Sequence, residues 1–319
     1  MDKKEGWSYS LVLMLLIITI VASVMVGASS LSFSQLIAAI SGKSPDTLNT
    51  ILTLRLPRIV ASLICGGMLA IAGAFSQSVF RNQLADPSIL GISSAGDLFV
   101  LLGSMILPSM LISKWIFAFI GGVLALLVLV NKSTLKSPSR LIIVGVALNL
   151  TLMGFIQLIS GGTTFNAGGS FNGFTWNSTF MVLIVGVIGM LISLFLAPWA
   201  NYLKLSDERL RTIGISTTTM RFGLLALVIY LAAGVSAVVG TIPFMGILIP
   251  NIARKMVGHD YQTLIPFSML LGAWTLLLAD TVGRIIVLPS ELPAATIMTV
   301  IGGIFLVVML QRGNFNEIR

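Results

Sequence analysis

Charged side chains are scarce in this sequence, so the few that interrupt its apolar runs are the first candidates for chemistry. Asp280 and Arg284 are spaced i, i+4 near the end of one apolar segment. Charges at membrane depth are rare and usually paired, and this spacing sets the two on one helical face. Arg55 and Arg58 stand at the head of another apolar segment. Arg55, Arg58 and Arg284 together could receive an acidic partner, because a guanidinium pairs with a carboxylate through two parallel hydrogen bonds. Asp97 is the other acid inside an apolar run. A proton-coupled carrier would use such a group, although Asp97 lies only about two turns from its segment end, where water reaches it. The chain has one cysteine, Cys65, and one histidine, His259. A disulfide, a CxxC pair or a His/Cys metal cluster is therefore excluded within one chain. The 15 methionines are scattered and read as lipid-facing or packing residues.

A second constellation is Ser206-Asp207-Glu208-Arg209-Leu210-Arg211-Thr212-Ile213-Gly214. Ser206 is a good N-cap, and Asp207 and Glu208 suit the positive end of a helix. Gly214 fits the left-handed position after the last turn. The spacing predicts a short surface helix with Leu210 and Ile213 on one side. It reads either as a solvated loop helix or as an element that docks into a groove through those two apolar anchors. Gly66, Gly67, Ala70, Gly73 and Ala74 form a small-residue stripe. Such a stripe lets helices approach closely in lipid and is compatible with lining a pathway.

These residues need elements to position them, and the composition says which. Hydrophobic residues make up 56% of the 319 positions and charged residues 9%, against about 25% charged in a soluble domain. A bilayer-crossing helix needs about 20 apolar residues. Ten apolar segments can be drawn, near 10–30, 57–79, 91–110, 114–131, 141–160, 178–198, 221–240, 242–256, 264–283 and 294–311. The fold class is therefore an all-α membrane protein of ten spans, a single domain over residues 1–319. The eighth segment is short, lies between Pro243 and Pro250, and reads as a broken or tilted helix that needs protein neighbours. The first follows Met1 to Glu5 without a small-residue cleavage site and is expected to be retained. Ser34 to Ile40 is expected to form a short surface helix, and residues 160–177, rich in Gly and Asn, a flexible loop.

A net charge of +8 raises nucleic acid as a partner, but the basic residues sit in short loops between apolar runs. With the N-terminus inside, the inner loops and ends hold 14 Lys and Arg and the outer ones 5, which accounts for all 19. That asymmetry places both termini in the cytoplasm of a multi-pass cell-membrane protein.

The order of several motifs resembles the FecCD family of ABC permeases, importers of iron-siderophores, haem and vitamin B12. They are Arg55-Leu56-Pro57-Arg58, Arg81-Asn82-Gln83-Leu84-Ala85-Asp86-Pro87, Gly240-Thr241-Ile242-Pro243-Phe244-Met245-Gly246, Ile249-Pro250-Asn251 with Arg254, Leu278-Ala279-Asp280 with Arg284, and Glu291-Leu292-Pro293. The chain departs from the usual pattern at Gln83, where the family commonly has Pro, at Asn251, where it has His, and at Ser94-Ala95-Gly96-Asp97. The resemblance implies a second permease subunit, identical or paralogous, and two cytoplasmic ATPases that bind ATP and Mg2+ and grip residues 206–215. It also implies an external binding protein whose acidic patches meet Arg55, Arg58 and Arg284, and an inner gate at Asn82 and Leu84. The chain itself holds no Walker A sequence and is expected to be a transport subunit rather than an enzyme. The implied cargo is a ferric siderophore first, haem next and cobalamin third. A proton-coupled secondary carrier is the rival, resting on Asp97.

Overall fold

The computed structural model describes residues 3–27, 31–107, 111–130, 138–161, 169–212, 214, 216–287 and 290–311. The described residues are helical with short connections. In chain order the helices are α1 (Lys3–Met25), α2 (Phe33–Ile40), α3 (Pro45–Thr50), α4 (Leu56–Phe80), α5 (Ile92–Ile106), α6 (Leu111–Leu129) and α7 (Pro138–Ile159). They continue with α8 (Trp176–Tyr202), α9 (Asp207–Thr212), α10 (Thr217–Ser236), α11 (Met245–Val257), α12 (Tyr261–Ile286) and α13 (Ala294–Gln311). A π-helical segment, Ile51–Arg55, fuses α3 to α4. Among the described residues, seven helices are long and apolar enough to cross a membrane: α1, the α3–α4 unit, α7, α8, α10, α12 and α13. α5 and α6 are apolar but shorter, and α11 has 13 residues.

α4 is the centre of the bundle. Nearly every residue from Pro57 to Phe80 is buried, and α8, α10, α11 and α12 surround it. Its small residues make that possible. A Cβ on Gly66 would sit 2.3 Å from the Gly272 carbonyl oxygen of α12, and one on Gly73 would sit 2.1 Å from the Gly246 Cα of α11. The stripe is therefore used to pack α4 against α11 and α12 of its own chain. α5 pairs with α6, and α7 lies at the edge with most of its surface uncovered.

Residues 237–244 before α11 carry irregular backbone, whereas α11 itself runs through Pro250 without a break. Asp97 supplies what that backbone lacks. Its Oδ2 accepts the Thr241 N–H at 3.1 Å and the Thr241 hydroxyl at 2.6 Å. Non-helical chain at membrane depth persists only where buried protein groups satisfy it. Asp97 thus braces this backbone through Thr241.

Helix α2 appears as expected, closed by a capping box in which Ser32 and Gln35 bond each other's backbone N–H. α3 and the π segment were not legible in the sequence, where residues 41–56 read as connecting loop. Of the Gly/Asn-rich loop, residues 160, 161 and 169–177 are described, with 176 and 177 already in α8, and residues 169–175 are anchored rather than loose. Phe171 is fully buried and packs at a tilt against Phe174 with ring centroids 5.4 Å apart, and the Gly169 carbonyl accepts the Ala295 N–H. The aromatic side chains outweigh the loop-like composition there.

Candidate functional site: two polar clusters at opposite ends of α4

α4 has 25 residues, which makes it about 37 Å long at 1.5 Å per residue. A charged cluster sits at each end. At its start, Arg58 grips Asp280 through two nitrogens, with Nη2–Oδ1 at 2.8 Å and Nε–Oδ2 at 2.9 Å. Its third nitrogen, Nη1, reaches Glu291 Oε2 at 2.7 Å. Arg284 leans on the same carboxylate, with Nε 3.4 Å from Asp280 Oδ2. It also donates to the Ser23 and Val26 carbonyls at 3.2 and 3.1 Å, and to the Ser23 hydroxyl. Arg55 donates to the Val24 carbonyl. The cluster therefore ties the end of α1, the start of α4, the end of α12 and the segment before α13.

The three arginines do come together, but not as a surface rim. Arg55, Arg58 and Arg284 are 7%, 9% and 3% exposed, and Asp280 is fully buried. They line one pocket of about 270 Å³ with Val26, Gly27, Phe174 and Glu291. The i, i+4 pairing of Asp280 with Arg284 was legible from spacing. The stronger bond, from Arg58 across 222 positions of sequence, was not. Glu291 was visible only as part of a motif, with no role attached.

At the far end of α4 the chain turns through Arg81, which has φ +49°. The Asn82 N–H bonds the Gln77 carbonyl and the Arg81 N–H bonds the Ser78 carbonyl, closing a Schellman turn. Asn82 is buried, and its Oδ1 accepts the Leu84 N–H at 3.0 Å; Leu84 is half-buried. Asn251 donates to the Gln83 carbonyl at 3.1 Å. Behind it Gln77 bonds the Gly246 carbonyl at 2.8 Å and accepts from Arg254 at 2.5 Å, joining α4 to α11. Burial raises the Asp86 carboxyl above its usual range in this turn, opposed by the Ser88 hydroxyl and N–H. Further out, Lys204 donates to Asn201 Oδ1 at 2.8 Å and to the His259 carbonyl at 2.6 Å. Partial burial lowers the Lys204 ammonium below its usual value; Asp260 opposes that shift and Arg254 adds to it.

Helix α9 lies beside this turn. Ser206 caps it, with its hydroxyl 3.4 Å from the Arg209 N–H, and Gly214 takes φ +75° as the sequence predicts. Asp207 is engaged with Arg81 at 2.8 Å and Arg221 at 3.0 Å. Glu208 and Arg209 are exposed. The expectation that Leu210 is an outward anchor is corrected: it is 0% exposed. A six-residue helix capped at Ser206 and pinned by Asp207 turns that side chain inward, since Asp207 and Leu210 are neighbours on one face at i, i+3. Ile213, its expected companion, lies outside the described residues. Leu210→Ala should therefore cost about 3 kcal/mol of stability, as for other buried leucines. Thermal unfolding of the chain purified alone checks this; an unchanged midpoint would restore the outward reading.

The sequence profile of the FecCD transport family matches residues 15–312. The chain belongs to the FecCD transport family. Two relatives are the heme-iron transport system permease protein IsdF of Staphylococcus aureus strains MSSA476 and Newman. Each is 33% identical over 320 residues, covering 99% of this chain and 98% of the relative. A metal-chelate type ABC transporter solved in an inward-facing conformation superposes with a TM-score of 0.82 at 27% identity, covering 96% of this chain and 99% of that one. PsaBC from Streptococcus pneumoniae, solved with a Fab, shares the fold at a TM-score of 0.56 and 16% identity, over 86% of this chain and 94% of that one. This FecCD chain is accordingly a multi-pass cell-membrane permease of the ABC importer class.

Proposed function

We propose that this FecCD chain is the permease subunit of an ABC importer for an iron chelate, haem included. In this reading it pairs with a second permease subunit, takes cargo from an external binding protein, and is driven by two cytoplasmic ATPases that hold ATP and Mg2+. The observation that carries it is the end-to-end correspondence with the metal-chelate type transporter, at a TM-score of 0.82 over 96% of the chain. The relatedness to heme-iron permeases along the full length moves haem up from second choice to equal standing with ferric siderophores. Cobalamin is the remaining alternative.

The ten-span arrangement, with both termini cytoplasmic, belongs to this proposal. Its support is the charge asymmetry of the loops and the common direction of the ends: α1 begins beside α12's start, where Tyr9 bonds the Thr263 carbonyl at 3.1 Å. That is the Arg81 end, which we assign to the cytoplasm. The short helices α5, α6 and α11 complete the count as spans.

We place the gate at the Asn82–Leu84 turn and the ATPase contact at α9. Docking of the binding protein falls to the pocket lined by Arg55, Arg58 and Arg284. Three cations and two carboxylates meet there, so a carboxylate entering the pocket meets net positive charge. Because the arginines are already bonded within the chain, such a carboxylate would share them with Asp280 and Glu291 rather than find them waiting.

The test is reconstitution in liposomes with the cognate ATPase and binding protein, following ATP-dependent uptake of haem, a ferric siderophore and cobalamin in parallel. Uptake of cobalamin alone, or uptake without the ATPase, would refute the reading. For the motor contact, reversing the exposed pair with Glu208→Arg and Arg209→Glu should weaken ATPase co-purification about tenfold, as charge reversal at an interface does. Undiminished co-purification would remove Glu208 and Arg209 from that contact.

A further inference from the structure

We propose that Arg81 is the transmission link between the ATPase-contacting helix α9 and the Asn82–Leu84 gate turn. This rests on the function proposed above and concerns how the same machinery is coupled. Five observations converge on one side chain.

The first is conformational. Arg81 is one of two described non-glycine residues with positive φ. The left-handed region is disfavoured for residues with a Cβ, and glycine normally fills this position of a Schellman turn. Sparsely populated backbone conformations persist where the surroundings over-determine them, and they cluster at switch regions. The second is what the side chain holds. Nε donates to the Leu203 carbonyl at 3.1 Å, and Nη2 donates to the Leu205 carbonyl at 2.8 Å. Both acceptors belong to the segment that joins α8 to α9. The third is that Nη2 also meets Asp207 Oδ1 at 2.8 Å, the first residue of α9. One guanidinium thus grips both the lead-in to α9 and its first turn.

The fourth is that Asp207 is shared. Arg221, near the start of α10, bonds both its oxygens at 3.0 and 3.2 Å. Displacement of α9 therefore cannot leave Arg81 behind without breaking a shared carboxylate bridge. The fifth is covalent. Arg81 is joined by one peptide bond to Asn82, whose side chain holds the Leu84 N–H. Movement of the Arg81 backbone is movement of the gate turn. On the other side, Gln77 one turn earlier ties α4 to α11, and Asn251 of α11 holds the Gln83 carbonyl of the turn, so the turn stands between α9 and α11.

A glycine at this position separates backbone from side chain. Arg81→Gly keeps a residue at ease with φ +49° and removes the whole side chain, the guanidinium with it. The reconstituted transporter should keep the ATPase bound, while cargo moved per ATP hydrolysed falls about fivefold or more, the lower range of a site-to-site coupling. The thermal midpoint of the purified permease should not fall in step with that loss, because the strain relieved offsets the bonds removed. Asp207→Asn should give the same uncoupling, and Arg81→Gly/Asp207→Asn should be no worse than either alone. Full coupling in Arg81→Gly, or additive losses in the double variant, would overturn the link. Dissociation of the ATPase from Arg81→Gly would overturn it too, by showing that Arg81 serves docking instead. If the unaltered chain neither binds the ATPase nor transports, the proposed function fails and the link falls with it, an outcome distinct from any of these.

Discussion

Asp280→Asn is expected to leave the chain poorly folded in the membrane rather than folded and silent. The carboxylate accepts two bonds from Arg58 and faces Arg284, and it is fully buried. Removing one partner of a buried ion pair costs about 3–5 kcal/mol, because the remaining charge stays desolvated without compensation. Here two guanidiniums lose it together. Arg58 keeps Glu291, and Arg284 keeps the Ser23 and Val26 carbonyls. These limit the loss without replacing it. Glu291→Gln should be milder, about 1 kcal/mol, since the Glu291 side chain is 22% exposed and water reaches it. The measurement is the thermal midpoint of the detergent-solubilised chain, with Arg58→Met, Asp280→Met and the double variant beside it. A structural pair predicts that the double loses clearly less than the two single losses combined, since its apolar replacement leaves no unpaired Arg58. If all five variants melt like the parent and only binding-protein association suffers, the cluster is a docking site and nothing more.

That cluster shows how far the sequence reached. The rarity of charge in apolar runs picked out Asp280, Arg284, Arg55 and Arg58 without any structure. Spacing supplied one pair, because i, i+4 is a local relation that a helix enforces. The tighter pair joins residues from α4 and α12, and only the packing of those helices reveals it. The same limit explains Leu210. Its helix, cap and terminal glycine were all local and all legible. Which side faced the bundle depended on Asp207 meeting Arg81 and Arg221, two side chains from other helices. Arg81 itself was read only as a letter in a motif, because nothing in a linear sequence distinguishes a left-handed arginine from a helical one. The helices proved easier than the loops. Hydropathy placed α4 to within a residue at each end, whereas the π segment before it and the buried Phe171 of the Gly/Asn-rich loop answer to tertiary contacts that composition does not carry.

Gly73→Ala is expected to damage the permease more than any surface change, and Gly303→Ala to do nothing harmful. A Cβ on Gly73 would lie 2.1 Å from the Gly246 Cα, 2.3 Å from its carbonyl oxygen and 2.5 Å from its carbonyl carbon. All three are backbone atoms, so no side chain can swing aside. α4 and α11 must separate by more than an ångström, and the Gln77 bond to the Gly246 carbonyl at 2.8 Å is stretched with them. Overpacking in a tight core costs about 1–3 kcal/mol where side chains can yield. Backbone-on-backbone contact puts Gly73→Ala at the top of that range or above. Van der Waals packing is the main force between helices in lipid, so the lost approach has no hydrophobic substitute. Gly303 sits in α13 with nothing within 4 Å of its Cβ position, and its helix should gain about 0.5–1 kcal/mol from alanine. The pair of variants separates helix propensity from close packing, since the chemical change is identical. Fluorescence-detected size exclusion after stepwise heating reads both. A Gly73→Ala chain that stays monodisperse at the parent's melting temperature would show that α4 and α11 do not approach through these two glycines.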